Sequence, residues 1–313
     1  MGMLDGKVAI ITGAGRGVGR EEAIAMAKDG CNLIINDLGT AVDGTGVETR
    51  LADDVVEACK KIGVKAFGNY DSVVDFQKAK AMVDQALSEY GKLDIIINNA
   101  GILRDRMIFN MTEADFDDVI GVHLKGTFNM TRHAAEYFRN EGKEKPELGK
   151  FGRIINTASD SGLYGNIGQS NYGAAKSGIA TFTMITAGEL NKYCTVNCVV
   201  PSARTRMTTD ATPRLAEYMH KKTKDGFDVF DPAHFAPLVV YLASDAAKDI
   251  TGEVFKAIGD KVWVYRSWRA VKMIHNDWKP FTPKILAERI GSELMKDLPD
   301  KREGASTPDV VFG

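Results

Sequence analysis

Tyr172 and Lys176 stand four residues apart in the run Ser170-Asn171-Tyr172-Gly173-Ala174-Ala175-Lys176, a spacing that puts a phenol and an ammonium on one face of a helix. A free tyrosine has a pKa of about 10 and is a poor proton acceptor near neutrality. A positive charge at roughly 4 Å in an effective dielectric of about 20 favours the phenolate by about 4 kcal/mol, or about three pKa units before desolvation opposes it. The pair therefore predicts a tyrosine usable as an acid or a base. Ser159, in Asn156-Thr157-Ala158-Ser159, precedes the tyrosine by thirteen residues.

A second group lies near the N-terminus. The run Thr12-Gly13-Ala14-Gly15-Arg16-Gly17-Val18-Gly19 follows the apolar stretch Val8-Ala9-Ile10-Ile11 and precedes a helical stretch over residues 20–28. A buried strand, a tight glycine turn and a helix N-terminus make a phosphate cradle, because glycines let the backbone approach while free N–H groups point at the anion.

The elements that must hold these groups alternate in type. Apolar runs over residues 7–12, 32–37, 64–69, 93–97, 151–157, 193–200 and 253–258 predict strands, with amphipathic helices between them. Runs apolar throughout, rather than strictly alternating, suit strands buried on both faces. The expected fold is α/β, a doubly wound parallel sheet of about seven strands with helices on both faces. Residues 39–46 and 140–149 predict long surface connections, and 261–313 a C-terminal extension. That extension carries Trp263, Trp268 and Trp278, too much aromatic surface to leave in water, so it is expected to pack on its own domain or a neighbouring subunit.

Composition narrows the function classes. The chain has 313 residues, 44% hydrophobic and 26% charged, enough for an ample core, and its net charge of -2 argues against a nucleic-acid-binding surface. No 18-residue apolar span and no signal-peptide core appear, so the expectation is a soluble cytoplasmic protein with no membrane partner. Cys31, Cys59, Cys194 and Cys198 suggest core residues rather than a disulfide framework, and the five histidines are scattered, so no metal is expected.

Taken in order, the Thr-Gly-x-x-x-Gly-x-Gly spacing of residues 12–19, the run Asn98-Asn99-Ala100-Gly101, Ser159, and Tyr172 with Lys176 resemble the motifs of the short-chain dehydrogenase/reductase family. The resemblance spans about residues 4–260 and implies a Rossmann-like catalytic domain over 1–260. It implies that Tyr172 is the general base in alcohol oxidation and the general acid in ketone reduction. Ser159 would hydrogen-bond the substrate oxygen, and Lys176 would lower the tyrosine pKa and bind the nicotinamide ribose. Thr12, Gly13, Arg16, Gly17, Val18 and Gly19 would line the pyrophosphate, with Asn99, Ala100 and Gly101 beside them. Asp71-Ser72 would meet the adenine, a generic helix cap being the alternative for Asp71. His123 stands where the family has a proton-relay asparagine. Pro201 is followed by serine rather than the family's glycine, and Thr205 or Thr208 would contact the nicotinamide carboxamide. The long helices over 112–140 and 170–192 would pair subunits into a homodimer or homotetramer.

Asp37 follows the second strand, eighteen residues beyond Gly19. A carboxylate there accepts both adenosine ribose hydroxyls and repels a 2′-phosphate, so the expected cofactor is NAD. Arg16 argues in the other direction, from a position where NADP-using members contact that phosphate.

Within the family, Asn36-Asp37-Leu38-Gly39, residues 98–106, 122–128 and 164–176, and the Trp278-Lys279-Pro280 tail resemble the hydroxyacyl-CoA dehydrogenase region of peroxisomal multifunctional enzymes and their bacterial single-domain relatives. That implies oxidation of a (3R)-hydroxyacyl-CoA to the 3-oxoacyl-CoA. Arg204, Arg206, Arg214, Lys221, Lys222 and Lys224 are expected to meet CoA phosphates. A steroid or other secondary-alcohol dehydrogenase, an acyl-carrier-protein reductase and a non-catalytic NAD-binding scaffold are the rival readings.

Overall fold

A computed structural model describes residues 2–46, 50–209, 217–266, 268 and 270–298. The strands are β1 (Val8–Thr12), β2 (Asn32–Asn36), β3 (Ala66–Asn69), β4 (Ile95–Asn98), β5 (Gly152–Thr157), β6 (Cys194–Pro201), β7 (Val254–Ile258) and β8 (Lys261–Tyr265). They form one sheet in the order β3-β2-β1-β4-β5-β6-β7-β8. All neighbours are parallel except β7 and β8.

Burial explains the sheet. Ala9 and Ile11 of β1, Leu33 and Ile35 of β2, and Ile95 and Ile97 of β4 enter one core cluster. Val8, Ile10, Ile34 and Ile96 enter the other. Alternate residues of one strand thus fill opposite cores, which is why these runs are apolar throughout. A fully buried isoleucine is worth roughly 1.5–3 kcal/mol, so these strands contribute strongly to the driving force for the fold. The helices α1 (Gly17–Lys28), α2 (Arg50–Ile62), α3 (Phe76–Tyr90), α4 (Glu113–Ile120), α5 (Gly126–Glu144), α6 (Asp160–Tyr164) and α7 (Ser170–Leu190) cover both faces.

The eighth strand extends the expected seven. Gly259, at φ 54°, turns the chain so that residues 261–265 return antiparallel along β7, with Ile258 opposite Lys261. Trp263 packs against Met219, Val229, Phe230 and Ile258. Trp268 and Trp278, by contrast, are 83% and 104% exposed on this single chain.

Strand order reverses between β1 and β4, and the crevice at their carboxyl ends is where a doubly wound sheet takes ligands. Buried amides tie the sheet to the helices behind that crevice. Asn98 Nδ2 donates to Asn156 Oδ1 at 2.8 Å, and Asn156 Nδ2 donates to Thr183 Oγ1 of α7 at 2.9 Å. The helix holding Tyr172 is therefore registered to the sheet from within.

Candidate active site

The crevice opens into a cleft of about 1130 Å³ whose walls include Gly13, Asp37, Ser159, Tyr172 and Lys176. One wall is backbone. Gly13 and Gly17 have φ of 64° and 54°, which only glycine adopts without strain. A Cβ on Gly13 would sit 2.7 Å from Ala100 Cα, and one on Gly19 would sit 2.5 Å from both Asn99 Nδ2 and Gly13 O. No side chain caps the first turn of α1, so its N–H groups are left to face the cleft. These features fit a pyrophosphate.

The Asn-Asn-Ala-Gly run braces that wall. Thr12 Oγ1 accepts from the Asn99 and Ala100 amides at 3.0 and 3.1 Å, and Asn99 Nδ2 donates to the carbonyls of Thr12 and Gly13 at 3.1 and 3.0 Å. Asn99 therefore holds the glycine turn with its side chain. Asp37 sits at the end of β2, where its Oδ2 accepts from Gly15 N–H at 2.8 Å and its Oδ1 from Gly39 N–H at 2.7 Å. Asp71 pairs with Lys78 at 3.1 Å, and the cap of α3 is Asp75, which accepts from the amides of Gln77 and Lys78. Ser72, Arg16 and Val18 also line the cleft.

The other wall is made of side chains. Ser159 caps α6, its Oγ accepting from Ser161 N–H at 3.2 Å, and its hydroxyl acts to lower the Tyr172 pKa. Lys176 is 3% exposed and its Nζ donates to the Thr157 carbonyl at 2.6 Å, 5.6 Å from the Tyr172 ring centroid. Burial pushes the Tyr172 phenol up to about 12, opposed by Ser159, and pulls the Lys176 ammonium down to about 8. Desolvation thus outweighs the charge effect expected from the spacing, because the ammonium is committed to a carbonyl rather than set against the phenol oxygen.

His123 lies in a π-helical turn (Gly121–Lys125) between α4 and α5, the kind of local widening that recurs at functional sites. Its Nε2 is 2.8 Å from the Ile102 carbonyl and 3.1 Å from the Ile102 nitrogen, and its ring meets Tyr172 edge-on at 5.0 Å. Burial, then the Lys176 charge, lowers its pKa well below the usual histidine value, so it is neutral at physiological pH. A Cβ on Gly101 would lie 2.3 Å from His123 Cε1, so Gly101 is the space this ring occupies.

Pro201, Thr205 and Thr208 line the far side of the cleft. Thr208 Oγ1 is engaged locally, accepting from Thr205 N–H at 2.8 Å, while the Thr205 methyl lies 3.1 Å from where a Gly17 Cβ would stand. Thr205 therefore reaches the glycine turn and Thr208 supports it. Arg204 is not available to a phosphate as expected. Its guanidinium grips Asp228 at 2.6 and 3.1 Å and the Met219 carbonyl at 2.8 Å, pinning residues 219–228 beside the cleft. Arg214 lies outside the described residues, whereas Arg206, Lys221, Lys222 and Lys224 are exposed.

Two part-buried polar pairs escaped the sequence reading. Lys256, fully buried in β7, donates to Asp160 Oδ2 at 2.5 Å next to Ser159, and a lysine inside Val-Phe-Lys-Ala-Ile was the available signal. Asp105 accepts from Gln169 Nε2 at 2.7 Å. No sequence signal marked that pair.

Comparison with known proteins accords with this geometry. Residues 7–216 match the family model described as short chain dehydrogenase. The chain is 40% identical over 260 residues to a hydroxyacyl-CoA dehydrogenase, ChsB1, of Mycobacterium tuberculosis, covering 83% of this chain and 79% of that protein. It is 38% identical over 299 residues to the peroxisomal hydratase-dehydrogenase-epimerase of Saccharomyces cerevisiae, covering 95% of this chain but only 30% of that longer protein. The crystal structure of a short chain dehydrogenase from Mycobacterium avium superposes with a TM-score of 0.82 at 40% identity, covering 95% of this chain and 98% of that one. The family model spans two thirds of the chain and the relatives agree with a glycine turn that has no room for a Cβ at Gly13 or Gly19: the chain belongs to the short-chain dehydrogenase family, oxidoreductases that act on CH–OH groups.

Proposed function

We propose that the protein is an NAD-dependent dehydrogenase that oxidises a (3R)-hydroxyacyl-CoA to the 3-oxoacyl-CoA. The observation that carries the cofactor choice is Asp37. Each carboxylate oxygen accepts one backbone N–H, Oδ2 from Gly15 of the glycine turn at 2.8 Å and Oδ1 from Gly39 of its own loop at 2.7 Å, and so keeps a lone pair for one of two vicinal ribose hydroxyls. A 2′-phosphate would meet this carboxylate as a like charge. Tyr172 takes the proton of the substrate hydroxyl, Ser159 holds the oxygen in line, and Lys176 and neutral His123 keep the phenol in place. The bound nicotinamide supplies the hydride acceptor and a positive charge.

The acyl-CoA reading rests on the relatives named hydroxyacyl-CoA dehydrogenase and peroxisomal multifunctional enzyme, and on the exposed cations Arg206, Lys221, Lys222 and Lys224 near the cleft. Those cations suit phosphates, whereas an uncharged steroid would have no use for them. A relative named 3-oxoacyl-[acyl-carrier-protein] reductase, 37% identical over 258 residues, keeps the reductase reading open, and Asp37 weighs against its expected NADPH. Exposed Phe116 on α4 and Ile185 on α7 favour pairing of those helices between subunits, as a homodimer or homotetramer.

The test is the initial rate of NAD reduction with 3-hydroxyacyl-CoAs of short, medium and sterol-like chains, beside an uncharged secondary steroid alcohol. Turnover of the CoA esters is expected, weakened by neutralising Arg206, Lys221 and Lys222. Turnover of the steroid alone would overturn the acyl-CoA reading.

A further inference from the structure

Two carboxylates line the cleft with Tyr172 and act to raise its pKa, and only one of them is paired with a cation among the described residues. Asp160 is bound by the buried Lys256 ammonium at 2.5 Å and accepts from Ser202 Oγ at 3.3 Å. Asp105 has an arginine on each side in sequence, yet both turn away. Arg104 pairs with Asp118 at 2.9 Å and approaches Asp115 at 4.0 Å, while Arg106 approaches Asp115 at 4.0 Å. Asp115 in turn caps α4 with Thr112, which holds these cations outward. What remains to Asp105 among the described residues is the neutral Gln169 amide at 2.7 Å on Oδ2, while its Oδ1 is sealed from solvent with no partner among them.

This carboxylate sits at the end of a bonded path to the reacting groups. Gln169 Oε1 accepts from Ser161 Oγ at 2.6 Å, and Ser161 N–H donates to Ser159 Oγ at 3.2 Å. The segment is stitched to the start of α7 by the Arg106 amide on the Gly168 carbonyl at 2.8 Å and by Asn171 Nδ2 on the Arg104 carbonyl at 3.0 Å. Asp105 therefore cannot move independently of Tyr172, the next residue but two after Gln169.

We propose that Asp105 is a positioning residue for proton transfer: its carboxylate anchors the Gln169–Ser161 bridge beneath Ser159, and its uncompensated charge sets how readily Tyr172 gives up its proton. This rests on the dehydrogenase reading above. The groups facing Tyr172 are Lys176, neutral His123, Ser159, Asp160 with its Lys256 counter-charge, and Asp105. Among them Asp105 is the negative charge without a cation, and it acts to raise the phenol pKa. Burial raises the pKa of Asp105 itself, and the Gln169 bond opposes that shift.

The decisive variant is Asp105→Asn, which keeps an acceptor for Gln169 and removes the charge. Tyr172 is followed by tyrosinate absorbance, as the difference between each protein and its Tyr172→Phe counterpart, and by the acid limb of kcat/KM for alcohol oxidation. Both are expected to move to lower pH by about one unit, so that on the limb the variant is roughly tenfold faster at equal pH. Asp105→Leu also strands the Gln169 amide, and its kcat is expected to fall about tenfold while Asp105→Asn retains it. Coincident titrations of wild type and Asp105→Asn would overturn the proposal. The absorbance titration needs no substrate, so absence of turnover would count against the dehydrogenase reading while leaving this coupling measurable.

Discussion

The two walls of the cleft are built by different means. The wall of β1, α1 and β4 is backbone: glycines at positive φ, an uncapped helix start, and a threonine and an asparagine that bond only to main chain. The wall of β5, α7 and β6 is side chain: Ser159, Tyr172, Lys176 and the ion pairs Asp160–Lys256 and Arg204–Asp228. A backbone wall fails when an atom is added, and a side-chain wall fails when a functional group is removed.

Tyr172→Phe gives the largest separation of the two. Losing a placed proton-transfer group should lower kcat by about 10²- to 10⁴-fold, while dinucleotide affinity, measured by fluorescence titration, stays near wild type. Equal losses in both would erase the division between the walls.

Glu22 tests the backbone wall through stability. It is fully buried on α1, neither carboxylate oxygen has a partner among the described residues, and burial pushes its pKa up to about 8 from 4.5. A folded pKa above the unfolded value contributes stability that is complete below about pH 4.5 and is lost as pH rises through about 8. Thermal melts at pH 5 and pH 8 should show the wild type losing a few kcal/mol across that window, with Glu22→Gln nearly level. A level wild-type profile would mean that the carboxylate finds a partner.

Gly19→Ala adds one carbon where 2.5 Å is available. Overpacking of this kind costs roughly 1–3 kcal/mol, so the dissociation constant for the dinucleotide should rise about 5- to 150-fold while the Tyr172 titration is unmoved. The smallest effect is expected at Arg204 and Asp228, a partly exposed bidentate pair at 2.6 Å. Arg204→Ala and Asp228→Ala should each raise the substrate KM by a few-fold, and the double variant should be no worse than either, since one contact is lost in all three. Additive losses would show that Arg204 also touches substrate.

What was legible in the chain follows from range. The glycine turn and the Tyr172–Lys176 pair are contained within eight and five residues, and each strand run reports its burial on both faces locally. Expectations failed where a distant partner claimed a group. Arg204 read as a phosphate ligand until Asp228, 24 residues on, took both its terminal nitrogens. Lys176 read as a charge against the phenol until Thr157, 19 residues back, took its ammonium. The eighth strand was missed because Lys-Val-Trp-Val-Tyr, at a sheet edge, is half exposed and lacks the continuous apolar signature of the strands before it.

The sequence by itself determined the doubly wound sheet, the phosphate cradle and the identity of the reacting groups, because strand burial, glycine φ and helix spacing are properties of neighbouring residues. Tertiary structure alone decided their chemical state. Whether a phenol is raised or lowered, and whether a carboxylate is neutralised as Asp160 is by Lys256, 96 residues away, or left bare as Asp105 is, depends on desolvation and on charges brought together by folding.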